Sequence, residues 1–113
     1  MTLYGIAHCE TVKQARRWLD AQCIAYVFHD YKRQGLDASQ LRAWMDELGW
    51  ETLLNRRGTT WRKLPEAVRA GMDEEHAFQI MLSSHSVIRR PLLDTGRVRH
   101  VGFSSTQYQE LFL

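Results

Sequence analysis

One thiol, Cys9, stands in "IAHCETVKQARRWL" (6–19), where a strand-like segment gives way to a helical pattern. A cysteine at such a junction heads a helix, where unpaired backbone N–H groups and the helix dipole favour negative charge. Both effects draw a thiol pKa down from ~8.5 toward roughly 3.5–7.5, which populates the nucleophilic thiolate at neutral pH. Lys13, one turn into the helix, acts in the same direction, as would any arginine folded over the site. The neighbours "AHCET" are polar and loop-like, which argues against a plain core role for Cys9. Position 12, where the second cysteine of a Cys-x-x-Cys motif would stand, is Val12. The site is therefore monothiol, and an oxidised Cys9 needs an external thiol to release it. Glutathione is the abundant candidate.

Other chemistries fit the residue types less well. Cys23, the second of two cysteines, continues the stripe Val12, Ala15, Leu19 and is expected in the core. A helix from 11 to 22 would separate the two thiols by about 20 Å, whereas a disulfide needs Cα atoms within ~7 Å. A Cys-x5-Arg anion cradle would need arginine at position 15, which is Ala15. The five histidines, His8, His29, His76, His85 and His100, show no HxxH or HExxH spacing, so no metal site is expected.

The elements that must hold Cys9 follow from periodicity. "TLYGI" (2–6) and "IAYVFHDY" (24–31) read as strands around the helix, giving a βαβ unit with parallel pairing. From 37 to 84 the pattern is helical: Asp37 and Gln40 have capping spacing, Leu41, Trp44, Met45 and Leu48 share a face, and Gly49 ends that helix. "ETLLN" (51–55) is a short turn of helix, "WRKLPEAVRAG" (61–71) a further helix, and Asp73 caps the next. "SVIRRPLLD" (86–94) and "RVRHVGF" (97–103) flank Thr95-Gly96 as a hairpin, and Ser104 with Gln107 opens a final helix. The order βαβ, helical insertion, ββα is that of an α/β, thioredoxin-like fold with a mixed sheet and an inserted helical subdomain. The expected organisation is a single domain, 1–113, with a core of 1–36 and 85–113 and an insertion of 37–84.

Length and composition narrow the class. A chain of 113 residues with 44% hydrophobic and 25% charged residues builds a core without disulfide or metal. Fifteen Lys+Arg against 13 Asp+Glu give a net charge of +2, too balanced for a nucleic-acid binder. No basic n-region with an apolar run opens the sequence, and no stretch approaches ~18 consecutive apolar residues, so neither a signal peptide nor a membrane span is expected. A cytoplasmic location with free thiols is the default. The arginines cluster at Arg56-Arg57, Arg62-Lys63, Arg89-Arg90 and Arg97/Arg99, as a solvated face or a pocket for a small anion.

"YGIAHCETVKQARRWLD" (4–20), "LLNRRGTTWRKL" (53–64), "IRRPLL" (88–93) and "VGFSSTQY" (101–108) together resemble the arsenate reductase (ArsC) family, most closely its YffB branch. The resemblance spans essentially the whole chain. It implies the same thioredoxin-like fold, with Cys9 as nucleophile at the head of the first helix. It further implies Arg57 and Arg90 as arginines that hold an oxyanion or a glutathione adduct, and Pro91 in cis beside the cysteine. The activity implied is that of a glutathione-dependent thiol reductase acting on a small-molecule or disulfide substrate, with glutaredoxin as a further partner. Lys13 would join the arginines in binding the thiolate and glutathione. Arsenate reduction is the enzymatic alternative, although Arg97 and Arg99 both stand near the place of the third arginine of arsenate reductases and neither matches cleanly. A regulatory adaptor like the Spx proteins is the non-enzymatic alternative, disfavoured by Val12 where those proteins commonly carry a second cysteine.

Overall fold

The computed structural model describes residues 1–113, which fall into two compact units, Met1–Gly35 with Arg90–Leu113 and Leu36–Arg89. The first is built on a four-stranded sheet. Strand β1 (Thr2–Gly5) lies between β2 (Val27–Asp30), which it pairs in parallel, and β3 (Leu92–Asp94), which it pairs antiparallel. Strand β4 (Arg99–Val101) closes the order β2-β1-β3-β4. The parallel β1–β2 pair is joined by helix α1 (Glu10–Ala21), so the expected βαβ unit is present.

Alternation along β1 decides which residues meet α1. Leu3 and Gly5 are buried on one face, while Thr2 and Tyr4 point to the other. Val12, Ala15 and Leu19 form the buried stripe of α1, at the spacing that puts them on one side of a helix. Leu3, Ala15, Leu19, Leu93 and Tyr108 make a fully enclosed cluster. Truncating a residue such as Leu19 to alanine there would cost about 2–5 kcal/mol. Gly5 allows a close approach, since a Cβ on it would lie 2.7 Å from Val12 Cγ2. The first turn of α1 therefore rests directly on the backbone at the end of β1.

The final helix of this unit (Ser105–Phe112) is capped by the Ser104 hydroxyl, which accepts from the Gln107 N–H at 3.1 Å. Its Tyr108 packs edge-on against Trp18 and Phe103, with ring centroids 5.5 and 4.7 Å away.

The second unit is helical, apart from one isolated bridge. Its main helices, Ala38–Leu48 and Glu74–Ser83, are both capped by aspartates, Asp37 and Asp73. Trp44 and Met45 from the first, Ala77 and Met81 from the second, and Leu53 from the short helix Trp50–Leu53 are buried. Arg42 spans the two main helices, stacking 3.6 Å from the Phe78 ring centroid and pairing with Glu75 at 3.2 Å.

Several expectations need revision. The helix expected over 61–71 is two short ones, Thr59–Arg62 and Glu66–Ala70, because Pro65 cannot continue the first. The strand expected over 86–94 forms only at Leu92–Asp94. Upstream, His85–Val87 is a 3₁₀ turn and Ile88 bridges Leu54. Those bonds tie 85–89 to the helical unit, so that unit runs to Arg89 rather than to residue 84. The strand expected over 24–31 shortens to Val27–Asp30, because Asp30 turns the chain by accepting from the Lys32 N–H at 2.9 Å. This opens helix α2 (Tyr31–Gln34).

Cys23 is the clearest departure. Helix α1 ends at Ala21, Cys23 takes the left-handed conformation with φ 57°, and its side chain is exposed. The stripe it was expected to extend stops with the helix.

Candidate active site

Cys9 is the N-cap of α1, in extended conformation with φ −76° and ψ 126°, and it is half-buried. Its carbonyl accepts from the Lys13 N–H at 3.0 Å, and its own N–H donates to the Ile6 carbonyl at 3.1 Å, which fixes the turn from β1 into the helix. The Sγ makes no side-chain capping hydrogen bond of ordinary geometry. Its ionisation nevertheless responds to what surrounds it. Partial burial pushes the thiol up, but the Val12 N–H, the Arg90 guanidinium and the Thr11 N–H more than offset that, and the pKa falls below the usual thiol value. A thiolate at a helix N-terminus beside a guanidinium is the activated form of cysteine.

Arg90 is half-buried and acts on Cys9 both by hydrogen bonding and by charge. It follows the helical unit in sequence and precedes Pro91, across a peptide bond that is cis, as the resemblance implies. Pro91 is buried, and its carbonyl accepts from the Gly102 N–H at 2.8 Å. The same guanidinium also acts on the buried Tyr31, whose hydroxyl burial and Tyr4 push up while Arg90 opposes them. Lys13 behaves differently: its backbone braces Cys9, its side chain is exposed, and the charge that lowers the thiol pKa is that of Arg90.

Arg57 belongs to the helical unit. There the Asn55 Oδ1 accepts from the Arg57 N–H at 3.1 Å, forming the turn that exposes the arginine doublet. A cavity of about 340 Å³ is lined by Asn55, Arg56, Arg57 and Arg89, with Glu51 and Leu54 completing it. Arg56 lies 5.5 and 5.9 Å from the ring centroids of Trp50 and Trp61. Sequence reasoning placed Arg57 by motif but missed Arg89, whose neighbourhood depends on the bridge between Leu54 and Ile88.

The head of α1 and the Arg90 guanidinium thus meet at one thiol. No helix is long and apolar enough to cross a membrane, and no group of three or more His, Cys, Asp or Glu side chains is placed to hold a metal ion.

Residues 4–111 match the ArsC family. A protein of Haemophilus influenzae is 37% identical over 112 residues, covering 99% of this chain and 98% of that one. Among solved structures, the YffB protein superposes with a TM-score of 0.91 at 50% identity, covering 96% of each chain. An arsenate reductase (ArsC) related protein from Brucella melitensis gives 0.82 at 48% identity, covering 98% of this chain and 92% of that one.

Proposed function

We propose, from a chain that belongs to the ArsC family and has the fold of its arsenate reductase-like thiol reductases, a cytoplasmic glutathione-dependent thiol reductase with Cys9 as its single nucleophile. The observation that carries this reading is the position of Cys9 as N-cap of α1 with Arg90 acting on its sulfur. The Cys9 thiolate attacks one sulfur of an oxidised substrate, forming a Cys9 mixed disulfide and releasing the other half as a thiolate. A glutathione thiolate then attacks that mixed disulfide. One route frees Cys9 and leaves the glutathionylated substrate, and the other leaves glutathione on Cys9 and frees the reduced substrate. A second glutathione resolves the latter adduct and yields oxidised glutathione, or a glutaredoxin thiolate takes the glutathionyl group as its own mixed disulfide; either exchange frees Cys9. Each exchange breaks one S–S bond and makes one, so no metal, flavin or nucleotide takes part. Arg90 holds the thiolate, and Arg90 and Lys13 bind the carboxylates of glutathione through charge-assisted hydrogen bonds. Pro91 enters the site on the family motif it matches, and Arg57 is assigned to anion binding by its own motif.

Arsenate reduction is the second reading. In its favour stands the name of the Brucella melitensis relative, an arsenate reductase (ArsC) related protein. Incubation with oxidised glutathione followed by intact-mass measurement tests the primary reading. One glutathione adduct, located on Cys9 and removed by reduced glutathione, is the expected result, and absence of the adduct defeats the reading. Glutathione-coupled turnover of a small disulfide against that of arsenate then chooses between the two substrates.

A further inference from the structure

The sheet unit carries a cavity of about 410 Å³ that begins at Ala7 and His8, the two residues immediately before Cys9. Its walls include Arg16 from α1, Phe28 and Asp30 from β2, and Arg33 and Gln34 from α2. The Arg16 guanidinium stacks on Phe28, 4.3 Å from the ring centroid, and its Nε donates to the Tyr26 hydroxyl at 3.2 Å. Stacking and one hydrogen bond fix the plane of the group and leave its two terminal nitrogens for another acceptor. Arg17, Arg42 and Arg99 each pair with a carboxylate, whereas Arg16 and Arg33 do not. The one carboxylate in the cavity, Asp30, is buried and caps α2 through the Lys32 N–H. Two guanidiniums therefore face a single carboxylate that the fold already uses.

On the thiol-exchange reading above, we infer that this cavity is a carboxylate-recognition pocket for the sulfur compound that reacts at Cys9. A planar carboxylate matches the donor fork of a fixed arginine, and Arg33 adds a second positive charge at the exposed side. The pocket favours acidic thiols and disulfides over neutral or basic ones. The carboxylate comes either from glutathione or from the oxidised substrate.

The test uses Cys9→Ser protein, which cannot exchange, titrated with two unreactive carboxylates, S-methylglutathione and thiodiglycolate, and followed by amide NMR. Shifts at His8, Phe28 and Gln34 are expected, with affinity weakened about tenfold in the added Arg33→Glu variant. Arg33 is exposed, so its reversal leaves the rest of the spectrum as a check on the fold. Response to S-methylglutathione alone assigns the pocket to glutathione, response to thiodiglycolate alone assigns it to the substrate, and response to both supports a general carboxylate pocket. No shift at these residues with either probe, or equal affinity in Arg33→Glu, overturns the inference. Reactivity of Cys9 does not enter this measurement, so an inert thiol would defeat the reductase reading without deciding the pocket.

Discussion

Helix α1 begins at one cysteine and stops two residues short of another. At its head, Cys9 is half-buried, with the Val12 and Thr11 N–H groups and the Arg90 guanidinium favouring its charged form. Past its tail, Cys23 is exposed in a left-handed turn, its N–H donating to the Asp20 carbonyl at 3.0 Å. Position relative to the helix axis, and not the side chain, separates a half-buried thiol with a lowered pKa from an exposed one.

The largest expected effect breaks the comparison outright. Cys9→Ser abolishes glutathione-coupled disulfide reduction, while Cys23→Ser keeps turnover within about twofold, since the substitution touches no reacting group. Equal losses in a coupled turnover assay would place both thiols in the mechanism. Next comes Arg90→Ala, which removes a hydrogen bond and a positive charge from Cys9. Its thiol pKa rises, so at neutral pH a smaller fraction is thiolate and alkylation by iodoacetamide slows. The deficit closes as pH rises above the new midpoint, and a pH profile of alkylation identical to that of the unaltered protein would remove Arg90 from the site.

Two smaller changes sharpen the contrast from the packing side. Gly5→Ala forces Val12 away from β1 and costs about 1–3 kcal/mol of overpacking, measured by urea unfolding. The same displacement disturbs the first turn and raises the Cys9 midpoint. At the other end, Cys23→Gly relieves a non-glycine residue at φ 57° and gains roughly 1 kcal/mol in the same unfolding measurement. A loss there would mean that the thiol contributes more than the backbone strain it carries.

What the chain reveals by inspection is local. Asp37, Asp73 and Ser104 announce three helix starts because each cap acts on an N–H three residues along. Cys9 is legible for the same reason, as the Val12 and Thr11 N–H groups that favour its charged form belong to the turn it begins, whereas Arg90 arrives from far along the chain. Cys23 misleads because apolar spacing continues past the point where hydrogen bonding stops, and neither Gln22 nor Cys23 is a residue type that signals a stop. The end of the helical unit is hidden because it depends on the Leu54–Ile88 bridge, which joins segments 34 residues apart. The cavity beside His8 is hidden likewise. Arg16 looks like any exposed helical arginine until Phe28 and Tyr26, from the far side of the crossover, come under it.

The donors at the head of α1 bear on more than attack. A sulfur whose anion is stabilised is also a good leaving group, so a mixed disulfide on Cys9 is readily cleaved by a thiolate that strikes the partner's sulfur. On the proposed mechanism, the helix terminus and Arg90 favour both the capture of a sulfur and its release, which is what a lone cysteine needs to turn over without a second one beside it.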